Sequence, residues 1–73
     1  MLIEVSKTIK AARKSAHLTQ VQLAKAIGCA PLTISRYECG QRTPSLKILA
    51  QIAEVVGVSI ADLLGGCDVV YKH

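Results

Sequence analysis

The stretch TQVQLAKAIGCAPLTISRYECG, residues 19–40, contains the most informative pattern in this sequence. It contains two sets of apolar residues with the spacing of a helix face, namely Leu23, Ala24 and Ile27, then Ile34 and Tyr37. Each segment is shorter than the roughly 12–15 residues at which an isolated helix becomes marginally stable in water. The two helices must therefore pack on each other and on a third element. With Gly28 in the turn, they form a helix-turn-helix motif.

Helix-capping residues set the limits of these two helices. Thr19 and Gln22 have the spacing of a capping box, in which the hydroxyl accepts the third backbone N–H and the amide side chain reaches back. Pro31 suits the first position of a helix, where its missing N–H is not needed. Gly28 and Gly40 can each end a helix in the left-handed conformation. We therefore expect helix 2 to end at residue 28, and helix 3 to run from residue 31 to residue 40.

Three further helices are expected around this pair. Helix 1 covers about residues 3–16, where apolar residues recur at steps of three and four: Leu2, Val5, Ile9, Ala12 and Ala16. Helix 5 is the short segment SIADLL, which Ser59 caps and Gly65-Gly66 ends. No strand pattern interrupts this series before residue 67.

Helix 4 follows the loop QRTPS. Thr43 or Ser45 is its N-cap, Pro44 lies near its start, and Gly57 ends it. Its apolar residues have the spacing of a single buried stripe: Leu46, Leu49, Ile52, Ala53 and Val56.

Length and composition limit the architecture. With 73 residues, about half of them apolar and only two aromatic, the chain can form one domain with a small aliphatic core. We expect an all-α, five-helix domain over residues 1–66 and a short tail over residues 67–73, for which a frayed end and an extended arm both stay open. No run of eighteen apolar residues and no signal-peptide pattern is present, which favours the cytoplasm.

Positive charge is concentrated in the first two thirds of the chain. Residues 1–47 contain eight Lys or Arg against two Glu, a net charge of +6. Residues 48–73 contain one Lys against three acidic residues, a net charge of −2. The basic region suggests a polyanionic partner, although a solvated surface is the commoner reason for such charge.

The sequence offers no pattern of a metal site or of catalysis. Cys29, Cys39 and Cys67 form no CxxC pair and have no His at ligand spacing, so we expect reduced thiols and no cofactor. A Ser/His/Asp or Cys/His set is missing, and the acidic residues are few and dispersed. We therefore do not expect an enzyme.

Three segments resemble the lambda-repressor-like helix-turn-helix proteins, of the Cro/C1 or xenobiotic-response-element type: TQVQLAKAIG, TISRYECGQRTPSLKIL and IAEVVGVSIADLL. The resemblance covers roughly residues 7–64, and it depends on several residues in register: Arg13, Gln20, Ile34 to Glu38, Gly40, Pro44 and Ser45. It implies a five-helix lambda-repressor-like domain and a transcriptional regulator, by preference a repressor, that binds specific double-stranded DNA sequences. A DNA-binding antitoxin or a protein-interaction module on the same scaffold is the alternative.

The resemblance makes helix 3 the recognition helix in the major groove. The residues on its outward face are expected to contact bases: Pro31, Leu32, Thr33, Ser35 and Arg36. Arg36 can pair with guanine O6 and N7, Thr33 and Ser35 can bond to bases or phosphates, and Leu32 can pack on a thymine methyl. Two alternatives stay open. Leu32 is either a base contact or a residue of the core or of a dimer contact, and Arg36 is either a base contact or a plain surface charge.

Phosphate contacts are expected on both sides of helix 3, from Gln20, Gln41, Arg42, Thr43 and Lys10. In similar proteins the residues that match Arg13 and Glu38 form an ion pair, so these two residues are expected to be structural. Arg13 can offer its spare donors to a phosphate. Lys47 is a weaker candidate for a contact with the DNA backbone.

The sequence departs from the family pattern at several positions near helix 3. Ala30 stands where Ser or Thr usually caps the helix, so its N-cap is expected to lack a side-chain hydrogen bond. Cys39 stands where a polar or basic residue is common, and Pro31 and Leu32 replace polar base readers. At these positions the chain therefore presents different side chains to DNA from those that are common in the family.

The expected partner is duplex DNA, with neither a membrane nor a small-molecule effector. Because one recognition helix reads only a few base pairs, a homodimer on two half-sites is expected. The dimer interface is expected to form between apolar residues of helix 5 and the tail: Ile60, Leu63, Leu64, Val69, Val70 and Tyr71.

Overall fold

The computed structural model describes residues 5–64, and this range forms five α-helices. They are α1 (Val5–Ser15), α2 (Gln20–Ile27), α3 (Pro31–Glu38), α4 (Leu46–Val56) and α5 (Ile60–Leu63). The expected all-α, five-helix architecture is confirmed. The expectations for Leu2, for Gly65-Gly66 and for the tail 67–73 lie outside the described residues.

The caps of α2 are those that the sequence predicts. The backbone N–H of Gln22 donates to the Thr19 hydroxyl at 3.0 Å, and the backbone N–H of Thr19 donates to Gln22 Oε1 at 2.9 Å. The other end of α2 is closed by Gly28, which adopts the left-handed conformation with φ 79° and ψ 35°. The short α2 is thus bounded by local hydrogen bonds at both ends.

The ends of α3 and α4 agree with the sequence in most respects. The last helical residue of α3 is Glu38, and Gly40 takes the left-handed conformation two residues later, at φ 78°. The N-cap of α4 is Ser45 and not Thr43, because the Ser45 hydroxyl accepts the N–H of Ile48 at 3.2 Å. Gly57 ends α4 at φ 82°.

The buried core is aliphatic, with one tyrosine. Its members are Val5, Ile9, Leu23, Ala24, Ile34, Tyr37, Leu49, Ile52, Ala53 and Leu63. Burial of each large aliphatic side chain stabilises the fold by about 1.5–3 kcal/mol. Helix α2 packs on α3 and α4, and α1 packs on α3, α4 and α5. The helix-turn-helix pair, α2 and α3, is thus supported by α1 and α4, as the short length of its helices requires.

One residue of the expected α4 stripe is not buried. The side chain of Leu46 is 67% exposed, whereas Leu49, Ile52 and Ala53 lie in the core and Val56 packs against it. Leu46 is the first residue of α4, beyond the edge of the core. There it lines an open groove of about 550 Å³. Periodicity identifies the face of a helix but not where the core under that face ends.

The C-terminal end of α1 has a feature that the sequence does not reveal. His17 adopts the left-handed conformation at φ 61°, which is the position that glycine occupies after α2 and α4. The N–H of Leu18 donates to Arg13 O at 3.1 Å, and the N–H of His17 donates to Lys14 O at 2.9 Å. This is the hydrogen-bond pattern of a Schellman cap, with histidine at its left-handed position.

Candidate nucleic-acid interface

The eight residues of α3 divide between the core and the surface. Ile34 is fully buried and Tyr37 is 7% exposed. The residues expected to read bases lie away from the core: Pro31, Leu32 and Arg36 are exposed, and Thr33 and Ser35 are half-buried. Leu32 is 58% exposed, so it is not a core residue of this domain. The structure therefore brings the five predicted readers onto one short helix with two buried anchors.

The N-terminus of α3 lacks a side-chain cap, as expected. Ala30 occupies the N-cap position with extended backbone angles, φ −78° and ψ 147°, and makes no side-chain hydrogen bond. The N–H of Thr33 donates to the Ala30 carbonyl at 2.9 Å. Pro31 is the first helical residue and has no N–H to satisfy.

Arg13 and Glu38 connect α1 with the end of α3. Arg13 Nε donates to Glu38 Oε2 at 2.6 Å, and Arg13 Nη2 donates to Glu38 Oε1 at 3.1 Å. The remaining terminal nitrogen of Arg13, Nη1, donates to the carbonyl of Leu18 at 2.7 Å. The side chains of Arg13 and Glu38 are only 10% and 3% exposed. With three of its five N–H groups engaged and little exposure, Arg13 has few donors left for a phosphate.

Gln20 also binds Glu38, which the sequence does not predict. Its side-chain nitrogen Nε2 donates to Glu38 Oε1 at 3.0 Å. Gln20 is the first residue of α2 and is half-buried. Because of this hydrogen bond its amide faces α3, while the neighbouring residues Thr19 and Val21 are exposed. The two residues are 18 positions apart, and only the packing of α2 on α3 brings them together.

The pKa of Glu38 reflects this environment. Burial disfavours its charged form, but the hydrogen bonds from Arg13 and Gln20 and the positive charges of Arg13 and Lys10 outweigh that effect. The pKa of Glu38 therefore lies below its ordinary value. The hydrogen bond with Glu38 raises the pKa of Arg13, against the opposing effect of burial. Lys10 is exposed, and its positive charge makes the smallest contribution to the lowered pKa of Glu38.

The loop after α3 carries the remaining predicted phosphate contacts. Gln41, Arg42 and Thr43 are all exposed. The N–H groups of Gln41 and Arg42 both donate to the carbonyl of Arg36, at 2.9 and 3.3 Å. These bonds hold the start of the loop against the last turn of α3. Arg36 and Arg42 are both exposed, the first on α3 and the second in the loop that follows it.

Cysteines add no metal site to the part of the chain that the structure describes. Cys39 is exposed at the end of α3, and Cys29 is half-buried in the turn, where burial raises the pKa of its thiol. Within residues 5–64, the His, Cys, Asp and Glu side chains form no group of three that could hold a metal ion. No helix in that range is both long and apolar enough to cross a bilayer.

The sequence matches the helix-turn-helix family over residues 9–63. This range contains most of α1 and all of the other four helices, with the turn between α2 and α3. The chain belongs to the Cro/C1-type helix-turn-helix family. Its domain has the lambda-repressor-like fold, as the resemblance implied.

Relatives of this helix-turn-helix domain include an antitoxin and a phage transcriptional repressor. The chain is 34% identical to the antitoxin PezA of Streptococcus pneumoniae over 61 residues. This alignment covers 84% of this chain and 39% of PezA. The chain is 30% identical to the cryptic phage CTXphi transcriptional repressor RstR of Vibrio cholerae over 63 residues. This second alignment covers 86% of this chain and 56% of RstR. The chain thus spans about half the length of these curated relatives or less.

Solved structures share the fold of this helix-turn-helix domain. The P22 c2 repressor in complex with a synthetic operator superposes with a TM-score of 0.77 at 25% identity, covering 88% of this chain and 96% of the repressor chain. The hydroxypropylphosphonic acid epoxidase of S. wedmorenis superposes with a TM-score of 0.78 at 28% identity, covering 85% of this chain and 33% of the epoxidase chain. Because an enzyme also contains this fold, the fold alone does not decide the function.

Proposed function

We propose that this chain is a transcriptional regulator, by preference a repressor, that binds specific sequences of double-stranded DNA in the cytoplasm. One observation carries the proposal. Helix α3 buries Ile34 and Tyr37 and leaves Pro31, Leu32 and Arg36 exposed. A short helix anchored on one face and exposed on the other fits the recognition helix of this motif.

The exposed residues of α3 have side chains that can distinguish bases. Arg36 can donate to O6 and N7 of guanine, which is the commonest specific contact in the major groove. Leu32 can pack on a thymine methyl, and its 58% exposure leaves it available for that contact. Thr33 and Ser35 can bond to bases or to phosphates. Pro31 starts the helix and can contact bases through its ring.

The surroundings of α3 favour phosphate binding. The region up to residue 47 carries the net charge of +6, which matches the charge of the DNA backbone. In our proposal the exposed loop residues Gln41, Arg42 and Thr43 bind phosphates on one side of α3. Gln20 and Lys10 bind phosphates on the other side, near the N-terminus of α2, whose dipole favours an anion.

We also propose that two copies bind DNA as a homodimer. One α3 reads only a handful of base pairs, whereas two half-sites about 34 Å apart supply a longer sequence. The described apolar residues proposed for the self-contact differ in burial. Ile60 and Leu64 are half-buried, but Leu63 is 1% exposed and is a core residue of the domain. Sedimentation of the chain with and without its operator tests the dimer, and a monomer on a selected site without any repeat would exclude it.

Selection of bound sequences from random duplex DNA tests the proposed function. The purified chain should enrich a short sequence, and its affinity for that sequence should fall steeply with salt, because bound phosphates release counterions. Scrambled duplexes of the same length should bind more weakly at every salt concentration. A chain that enriches no sequence and shows no salt-dependent affinity for duplex DNA would contradict the proposal.

The second candidate is a DNA-binding antitoxin. The similarity to the antitoxin PezA favours it, although this chain spans only 39% of that protein. An antitoxin would also bind DNA, so DNA binding does not distinguish the two. A stable complex with the product of a neighbouring gene, and relief of its toxicity on co-expression, would favour the antitoxin. We propose no enzymatic activity for the chain.

A further inference from the structure

We propose that Glu38 is a positioning residue for a phosphate contact, because it fixes the side-chain amide of Gln20 at the N-terminus of α2. The inference rests on the proposed function and adds a role for a carboxylate that does not itself contact DNA. The observation behind it is the hydrogen bond of 3.0 Å from Gln20 Nε2 to Glu38 Oε1. The same carboxylate is fixed from its other side by Arg13.

The chemistry of the two groups determines which end of the amide faces Glu38. An ionised carboxylate can only accept hydrogen bonds, so the NH₂ end of Gln20 must face it. Glu38 remains ionised at neutral pH, because its donors and neighbouring positive charges hold its pKa below the ordinary value. Since Nε2 has two hydrogens, one can bond to Glu38 while the other donates to a phosphate. Glu38 therefore turns a freely rotating amide into an oriented donor.

The backbone beside Gln20 makes this orientation useful. The capping box of Thr19 and Gln22 engages the N–H groups of residues 19 and 22. The N–H groups of Gln20 and Val21, in the first turn of α2, have no acceptor within the helix. An amide fixed at this helix end adds a third donor to those two. A side chain ordered before binding loses less entropy when the phosphate arrives.

The charges around Glu38 explain how an acidic residue can support an anion site. Its negative charge alone would repel a phosphate. Arg13 is paired with it directly, and Lys10 is close enough to lower its pKa, so the three groups together carry a net positive charge. Glu38 is also buried, with 3% of its side chain exposed, and its charge is compensated inside the domain.

A double-mutant cycle on the selected operator tests this role. We expect Gln20→Ala to weaken operator binding about tenfold, which is typical for a hydrogen bond to a charged group. Glu38→Gln should weaken binding several-fold in the wild-type background, roughly as one such bond does, and change it by less than about twofold in the Gln20→Ala background. Glu54→Gln is the matched control, since it removes one acidic charge from an exposed position of α4. It should leave binding unchanged or slightly tighter.

A scan with single neutral methylphosphonates in the duplex separates positioning from stability. One phosphate in each half-site should matter more for the wild type than for Gln20→Ala, which keeps only the two backbone donors, and its effect should fall to the same level in Glu38→Gln. The inference is overturned if Glu38→Gln remains fully sensitive to that phosphate, or weakens binding equally with and without Gln20. A wild-type chain without salt-dependent affinity for duplex DNA overturns the proposed function together with the inference.

Discussion

The guanidinium of Arg13 donates two hydrogen bonds, of 2.6 and 3.1 Å, to the carboxylate of Glu38 and so connects α1 with the last residue of α3. Both side chains are almost completely buried. A buried pair contributes little net stability, because desolvation offsets most of the attraction. Removal of only one partner is different, since it leaves a charge without compensation in the interior.

Arg13→Met should therefore destabilise the domain by roughly 3 kcal/mol, the lower end of the range for breaking a buried pair. The Arg13→Met/Glu38→Met double variant should be less destabilised than Arg13→Met alone, because it leaves no unpaired charge. Urea unfolding at pH 7, followed by circular dichroism, measures both. If the destabilisation of the double variant equals the sum of those of Arg13→Met and Glu38→Met, the two residues do not act as a pair.

The pKa of Glu38 predicts how stability changes with pH. Because this pKa is lower in the folded chain than its ordinary value of 4.5, the folded state favours the ionised form. The resulting stability is fully present above pH 4.5 and is lost as the pH falls through the lowered pKa. The urea midpoint of the wild type should thus fall as the pH drops below 4.5, and that of Glu38→Gln should fall less. Glu54→Gln, which changes an exposed acid, should keep the wild-type slope.

Ala30→Ser should stabilise the domain by about 0.5–1 kcal/mol, because a serine hydroxyl can accept an N–H in the first turn of α3. Ala30 is exposed and already has the extended backbone of an N-cap, so the serine needs no rearrangement. Thr19→Ala is the matched control at α2 and should lower the unfolding free energy by about 1 kcal/mol. A lower thermal midpoint for Ala30→Ser would mean that the methyl group of Ala30 packs against a neighbour.

His17→Gly should also stabilise the domain, by about 0.5–1 kcal/mol, since the left-handed conformation is unfavourable for a side chain with a Cβ and the gain exceeds the extra entropy of glycine. His17 is exposed and has φ 61°. The reverse change, Gly57→Ala, should cost about 1 kcal/mol. A Cβ at Gly57 would meet nothing within 4 Å, so its effect is conformational only. Thermal unfolding measures both, and destabilisation by His17→Gly would contradict the interpretation.

Features that depend on neighbouring residues could be predicted from the sequence. The capping box at Thr19, the left-handed Gly28 and the missing cap at Ala30 each involve residues within five positions of one another. The sequence does not distinguish Ser45 from Thr43 as the N-cap of α4, because both residues fit the pattern. The left-handed conformation of His17 has no signal in the sequence, since the cap imposes it on a residue type that seldom adopts it.

Features that depend on packing between helices could not be predicted in the same way. The contact of Gln20 with Glu38 arises because the start of α2 lies beside the end of α3, and no periodicity encodes it. The exposure of Leu46 depends on where the core ends. The family resemblance predicts the pairing of Arg13 with Glu38, whereas the spacing of the two residues does not.

Substitutions of Arg36 and Arg42 separate base recognition from phosphate binding. Arg36→Ala should weaken operator binding by about 1–3 kcal/mol and relax the preference at one base pair in each half-site, because a guanine contact is lost. The reason is the position of Arg36, which is exposed on α3 between the buried anchor Ile34 and the buried Tyr37. Affinity for the operator and for scrambled duplexes, at several salt concentrations, measures this effect.

Arg42→Ala is the matched control, because it removes the same side chain from the exposed loop beyond α3. It should weaken the operator and scrambled duplexes alike, and it should reduce the slope of log affinity against log salt by about one unit. Arg36→Ala should leave most of the affinity for scrambled DNA, since that affinity depends on phosphates. If Arg36→Ala instead weakens both duplexes equally and keeps the base preference, Arg36 binds the backbone, and the bases must be read by other residues of α3.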